Sequence, residues 1–562
     1  MIRIVKAAIV VICIYCISSL QAYFDNWDRQ FRKSRFVMRS YEVALIGILF
    51  FMGTEAFAQK DTSAPKQFIF LDDWSYDFID YWINSGELEQ SFVLNQPYNI
   101  PDVEAGLRVQ NKWTGLLHRY YQKFYGQPGQ AKIILYGRDS FSFVSDTDLP
   151  KRSGARKSPI DDVFLFQNRN KNHYNLSAQM NVLLPHLSLV NRTVTNSEFE
   201  DEPTPPVDLS SFIFGRINDA YMNVNNGPFD VFLGRIDRNW GTLGSPGLIL
   251  SDNAYSYDHA QVSYTAKHFR FSMMVTRLED LPAVDVQSEF PDSVVTARKF
   301  MTAHRMDFSI SPKLQFSATE IAVYGGPERD FEFAFLNPAS YFYIAQRNNQ
   351  QQINGIWSLD LFYKPKPKIN LFLQLLIDDI IVNNEPGKDD RANRPDRLGI
   401  HLDLSQAALF ARGLQTGIEY TRIGNRTYQS FRTYENFQTR GKGLGYPEAS
   451  IERIDLKMKY LNLFPVLLKF QTSYQRAGDV TLTSLTDVFT GFKDEKFPIG
   501  VVEKSWEARL DMRYFVNEQT QFTATVGYEH FDNYQHVAGD TRNNLRFVLG
   551  LRTNLAFGFK VN

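Results

Sequence analysis

Alternate positions are apolar over the last stretch of the chain. Leu545, Phe547, Leu549, Leu551, Thr553, Leu555, Phe557, Phe559 and Val561 fall on one side of an extended backbone, and Arg546, Val548, Gly550, Arg552, Asn554, Ala556, Gly558 and Lys560 on the other. Successive side chains of a strand point to opposite faces, so this segment predicts a strand with one apolar face. At seventeen residues it is longer than a usual soluble strand. The pattern recurs upstream. Trp506, Ala508, Leu510, Met512, Tyr514 and Val516 alternate with Glu507, Arg509, Asp511 and Arg513, and Ile454, Leu456, Met458 and Tyr460 alternate with Arg453, Asp455, Lys457 and Lys459. In a sandwich the apolar face would be core and the charged face solvent; in a membrane barrel the apolar face meets lipid and the charged face lines the lumen.

The connections favour the barrel. Short turns are predicted near Leu183–His186, Asn225–Pro228, Ala266–His268, Ser311–Lys313, Lys364–Lys368, Ser405–Ala411, Leu461–Pro465 and Asn517–Thr520, and long polar loops at 196–209, 278–297, 383–396, 423–450 and 476–502. Short turns at one end and long loops at the other characterise outer-membrane barrels. Eight short-turn hairpins, one strand before them (about 131–145) and one after (545–561) give eighteen strands.

Residues 70–125 follow a helical period instead. Asp72 or Asp73 can cap a helix that Gly86 ends, with Phe78, Ile79, Trp82 and Ile83 on one face. A turn at Pro97–Asp102 leads to a second helix from about Val103, and Trp113–Tyr125, with Leu116, Leu117, Tyr120 and Tyr121, predicts a third. The fold class expected is an all-β transmembrane barrel of about eighteen antiparallel strands with an N-terminal α-helical plug. The plug would occupy residues 59–130 and the barrel 131–562. The alternative for the helical unit is a periplasmic interaction domain that hangs free.

Met38–Ala58 reads as an export signal: Arg39, the apolar run Val43–Met52, then Ala56-Phe57-Ala58 before Gln59. Residues 1–37 carry another apolar run, Ile4–Leu20, and are expected to be a misassigned upstream extension; an inner-membrane anchor there would make the second signal redundant. From Gln59 on, the chain has 54 basic and 58 acidic side chains, and it has no apolar run of the ~20 residues that a spanning helix needs. The near balance of charge, 61 basic against 62 acidic residues overall, argues against a nucleic-acid partner. The 46 Phe and 28 Tyr suit the aromatic girdles of a barrel. The two cysteines, Cys13 and Cys16, precede the signal, which removes thiol chemistry from the body of the protein.

Three stretches resemble the capsule assembly Wzi family. The first holds Tyr76-Asp77, Ser85-Gly86-Glu87-Leu88 and Gln96-Pro97-Tyr98. The second holds Leu233-Gly234-Arg235, Asn239-Trp240-Gly241 and Gly247 to Ala254. The third runs from Ala303-His304-Arg305 through Glu320 to Gln374 and Asp378-Asp379. The resemblance implies an eighteen-stranded outer-membrane barrel plugged by a helical bundle, acting as a surface lectin that tethers capsular polysaccharide. The long loops match no family glycan site residue by residue.

Candidate chemistry is sparse. There is no Walker A loop, dinucleotide fingerprint or HExxH zinc motif. On the alternation of His304, Met306, Phe308 and Ile310, His304 should face lipid near an interface, which makes it a poor catalytic base. Asp378 and Asp379 are neighbours on a strand and should point to opposite sides, one into the lumen and one near the rim. The mixed lumen charges are expected to form cross-strand ion pairs rather than a selective pore. Asn239-Trp240-Gly241 reads either as a sugar-binding element or as a glycine-rich loop folded inward on Trp240, the second being preferred. The candidate glycan or lumen contacts are Arg235, Trp240, Asp252, Asn253, Arg305 and Asp378, but the external loops 383–396 and 423–450, rich in Asn, Arg, Asp and Tyr, are the preferred glycan contacts. The expected function is binding of cell-surface polysaccharide in support of capsule assembly or retention, by a monomer embedded in outer-membrane lipid, with no metal, cofactor or catalysis. The alternative is a porin-like diffusion channel or other outer-membrane transport protein.

Overall fold

A computed structural model describes residues 65–146, 171–197, 215–285, 295–349, 352–379, 397–483 and 495–561. The expected export signal, the upstream extension and the loop 383–396 lie outside them. Before the barrel come three helices, Tyr76–Ser85 (α1), Ile100–Gly106 (α2) and Lys112–Phe124 (α3). The strands follow: Gln130–Val144 (β1), Lys171–Leu184 (β2), Leu187–Asn196 (β3), Gly215–Asn226 (β4), Phe229–Arg235 (β5), Asp258–Thr265 (β6), Phe269–Pro282 (β7), Thr296–Ser311 (β8) and Leu314–Gly326 (β9). Two short helices, Phe333–Leu336 (α4) and Phe342–Asn349 (α5), precede Asn354–Lys366 (β10), Ile369–Asp379 (β11), Arg397–Ala407 (β12) and Leu414–Ile423 (β13). A two-residue ribbon, Gln438–Thr439 (β14) with Lys442–Gly443 (β15), interrupts the series before Ile451–Leu463 (β16), Val466–Ala477 (β17), Glu503–Phe515 (β18), Thr520–Asp532 (β19) and Thr541–Lys560 (β20).

Apart from the β14–β15 ribbon, eighteen strands among the described residues form one antiparallel sheet, each paired with its neighbours in sequence. The sheet closes where β1 meets β20, from Gln130 opposite Lys560 to Val144 opposite Arg546. Closure satisfies the backbone hydrogen bonds that lipid could not. All eight predicted short turns join successive strands, at the end where β1 starts and β20 stops. Among the described residues no helix is long and apolar enough to cross a membrane.

The alternation sets the two faces as expected. Leu549, Leu555 and Phe557 of β20, Trp506 and Leu510 of β18, and Ile454 and Leu456 of β16 are exposed on the outside. Asp455, Asp511 and Arg546 are buried in the lumen. Some lumen pairs run across strands, as expected, such as Lys457–Glu419 at 2.7 Å. Others join residues two apart on one strand, such as Arg453–Asp455 at 2.9 Å and Arg509–Asp511 at 3.0 Å, because such residues share a face.

The helices sit inside the short-turn mouth. Phe78, Ile79, Trp82, Leu116, Leu117 and Tyr120 form one apolar core with Phe362, Phe372, Leu461, Leu467 and Phe515 of the barrel wall. Phe78 and Trp113 lie 4.7 Å apart between ring centroids, and Trp74 lies 5.0 Å from Phe515. Wall groups also take up the end of α1, Lys364 Nζ donating to Ile83 O at 2.5 Å and Asn370 Nδ2 to Asn84 O at 3.1 Å, while Trp113 Nε1 of α3 donates to Leu461 O of the wall at 2.6 Å. The caps differ in detail from the sequence reading. Gly86 ends α1 with φ 83°, but Asp73 accepts the Ser75 N–H before the helix begins, and also the hydroxyls of Tyr120 and Tyr125. The second helix starts at Ile100 rather than Val103, because Asn99 caps it through Asp102 N.

Charge seats the plug as well. Asp77 lies 3.0 Å from Lys469 and 3.7 Å from Lys459, which also reaches Asp80 at 2.9 Å. Burial pushes the Asp77 carboxyl upward, but Lys469, Lys459 and Arg513 outweigh it and hold it at about 2. The stability this adds is present above the ordinary carboxylate range, near ~3.9, and is lost as pH falls through about 2. Asp77→Asn should loosen the plug by about 3 kcal/mol, since it strands buried cations. Limited proteolysis within residues 65–125 should be faster in this variant at neutral pH. Wild type should approach that rate only as the pH falls from about 4 through about 2, where Asp77 takes up its proton.

Candidate functional site

Two long connections turn inward at the end opposite the plug and form a lid. One is the segment 236–257 between β5 and β6; the other is 424–450 between β13 and β16. Trp240, Leu248, Ile249, Leu250, Tyr428, Phe437, Leu444 and Tyr446 pack there against Met274, Met301, Ile321, Ile356 and Leu376 of the wall. The two segments interlock through hydrogen bonds: Ser251 N to Leu444 O at 2.8 Å, Asn253 Nδ2 to Gly443 O at 2.9 Å and Tyr428 OH to Leu248 O at 2.6 Å. Glycine permits the approach. A Cβ on Gly445 would collide with the Leu248 carbonyl, and one on Gly247 with those of Trp240 and Leu250.

Wall side chains hold the lid in place. Gln374 donates to Trp240 O at 2.9 Å and accepts from Leu248 N at 2.6 Å. Lys299 Nζ donates to Gln438 O at 2.5 Å, and Arg397 to Gln429 O at 2.6 Å. Plug and lid then meet inside the barrel. Gln96 N donates to Asn239 O at 3.0 Å, Asn239 N to Gln96 O at 3.2 Å, and Gln96 Nε2 to Gly241 O at 3.0 Å. A cavity of about 190 Å³ remains beside this junction, lined by Asp77, Asp252, Asp403, Glu419, Lys457 and Arg513 among others.

Four of the six residues singled out from the sequence belong to this interlock. Trp240 is fully buried under the Arg305 guanidinium, 5.4 Å from its ring. Arg305, also fully buried, pairs with Asp307 and Asp360 at 2.8 Å each and donates to Leu94 O of the plug at 3.0 Å. Asn253 holds the β15 backbone, and Asp378 accepts Tyr428 N at 2.8 Å with Arg397 3.3 Å away. Asp252 lies on the cavity wall. Arg235 stands apart at the end of β5, half-buried and paired with Asp258 at 2.5 Å.

Two expectations are corrected. The loop 423–450 does not stand free outside; most of it is buried in the lumen, because its apolar side chains have a second apolar segment to pack against. Its outward side shows mainly Arg432, Tyr434 and Arg440. His304 points outward but is not open to lipid, for Phe342 of α5 covers it with ring centroids 4.3 Å apart. Alternation alone does not mark Gln374 or Gly445 as functional positions; the Gly443–Gly445 run beside Tyr446 is the signal in the chain for a close backbone approach. Among the described residues no group of three or more His, Cys, Asp or Glu is placed to hold a metal ion.

A closed antiparallel barrel with an apolar belt, stoppered by helices at one end and by its own loops at the other, defines an outer-membrane β-barrel protein. The sequence model of the capsule assembly protein Wzi family matches residues 162–545, and the chain belongs to that family. In fold it is similar to Wzi of Escherichia coli, with TM-score 0.55 and 12% identity over 87% of this chain and 99% of that one. That protein is described as an outer membrane protein involved in group 1 capsule assembly and as a carbohydrate-binding β-barrel. OprD of Pseudomonas aeruginosa aligns with TM-score 0.41 and 9% identity over 78% of this chain and 98% of that one. No curated relative matches the sequence.

Gly445→Ala should force the two lid segments apart and cost about 1–3 kcal/mol, as overpacking of a filled interior does. Gly137→Ala, where a Cβ meets nothing closer than 3.8 Å, should be near neutral. Thermal denaturation should rank the two.

Proposed function

We propose that this chain binds cell-surface polysaccharide on the outward side of its stoppered barrel and thereby supports capsule assembly or retention. The reading is carried by the junction of Gln96 and Asn239 inside the lumen. With plug and lid in contact there, the accessible surface lies outside the barrel, and the carbohydrate binding described for the Escherichia coli protein is the role such a surface suits. Export would use the signal at 38–58, with a mature monomer beginning at Gln59. The role needs neither catalysis nor a cofactor.

Sugars are held by aromatic rings against the apolar face of a pyranose and by polar groups that meet its hydroxyls. The outer side of the lid offers both. Tyr434 is half-buried against Gly325 and Gly326; Arg432 pairs with Asp285 at 2.7 Å, and the N–H of exposed Arg440 donates to Glu279 at 2.7 Å. Loop 383–396 is the second candidate. Of the residues chosen from sequence, Arg235 remains a candidate glycan contact; Asp252 faces the inner cavity as a lumen contact, and Trp240, Asn253, Arg305 and Asp378 act as positioning residues that hold the lid.

The refolded chain from Gln59 should retain one polysaccharide specifically when presented with a glycan array and with the capsule extracted from its host. Tyr434→Ala should weaken that binding by about 1 kcal/mol, roughly fivefold in Kd. If no glycan is retained and planar bilayers show a large single-channel conductance, the protein is a diffusion channel instead.

A further inference from the structure

The outer wall of the barrel is largely apolar where it meets lipid, and one of its polar patches is covered by protein. Along β8 the outward positions run from Ile310 near the short turns to Phe300. At a rise of ~3.3 Å per residue and a tilt of about 40°, those ten steps climb roughly 25 Å, the height of a barrel's apolar band. Thr302 and His304, on β8, lie in the upper half of that span, and Glu320 of β9 stands opposite His304. Polar groups at such positions are costly against hydrocarbon. On β20, by contrast, the upper outward positions are Leu545 and Phe547, both exposed.

The connection between β9 and β10 covers this polar patch from outside. Phe335 and Phe342 pack on Phe300, Ala322 and Tyr324 as a separate apolar cluster, and Phe342 covers His304. The Glu320 carboxylate accepts the first two N–H groups of α5, Phe342 N at 3.1 Å and Tyr343 N at 3.2 Å, together with Trp357 Nε1 at 3.0 Å. A carboxylate at a helix N-terminus is well placed for the helix dipole. The helices thus bond Glu320 and bury Thr302 and His304 away from lipid, and they present a new surface. Phe333 is 89% exposed, and Tyr341, Tyr343 and Ile344 are exposed beside it. This surface continues directly into Trp357 and Leu359, which are exposed on β10 below it.

We propose that α4 and α5 form a pad submerged in the outer leaflet, with Phe333 and Ile344 in contact with lipid acyl chains. The pad restores the apolar belt across the place where the wall itself is polar. It also ties the loop end of the barrel to one side of the membrane surface.

The test exploits the absence of cysteine after Cys16. Phe333→Cys and Ile344→Cys, each made in the chain from Gln59, are labelled with an environment-sensitive fluorophore and reconstituted in phosphatidylcholine vesicles. Leu359→Cys serves as the reference for lipid, and Val537→Cys, exposed in the loop between β19 and β20, as the reference for water. Lipids brominated near the headgroup should quench the labels at 333 and 344 to a degree comparable with 359, and well beyond 537. Lipids brominated deep in the chain should quench them less than they quench 359. Labels at both sites that behave like 537 would overturn the proposal. So would shielding from bromine combined with crosslinking between barrels through 333 and 344, which would make the pad a contact with a second copy.

Discussion

Everything in this structure depends on the hydrogen bonds that join the first strand of the sheet to the last. An open sheet edge cannot exist in hydrocarbon, because its unpaired N–H and C=O groups have no water to turn to. The pairing of β1 with β20 removes that edge. Once the sheet is closed, the two faces of every strand meet different solvents. The outside must be apolar, and the inside is free to carry the Arg, Lys, Asp and Glu that a lipid face would reject.

A wide polar lumen then has to be filled or left to water. Here it is filled from both ends. The plug brings an aromatic core that is continuous with the lower wall, and it offers helix-end carbonyls to wall donors such as Lys364 and Asn370. The lid brings an apolar cluster of its own, pinned by Gln374, Lys299 and Arg397. The contact of Gln96 with Asn239 joins the two halves through backbone hydrogen bonds, and Arg305 spans wall and plug from beside Trp240. Residues that look like binding chemistry in the sequence are thereby occupied as fasteners. Polar side chains that bond to loop backbone in a lumen do the work that apolar packing does in a soluble core.

The same logic explains the polar patch on the outer wall. Thr302, His304 and Glu320 break the apolar rule of the lipid face, and two short helices cover the break. A barrel can tolerate polar groups on its outside when another element covers them, bonds the charged one, and offers an apolar surface in their place.

The sequence by itself determined the barrel. Period-two alternation assigned the faces of β16, β18 and β20, and the eight short turns with their flanking strands gave a count of eighteen, because turn chemistry and alternation are local properties of the chain. The three plug helices were legible in the same way, from an apolar stripe and terminating residues such as Gly86. The destination of the long loops was not legible. A polar loop and a loop that folds into a polar lumen have similar composition, and only the closed wall supplies the side chains that bury 424–450. The covering of His304 was hidden for the same reason: alternation says which face a residue takes, but what lies over that face comes from residues thirty or more positions away, and only tertiary structure brings them there.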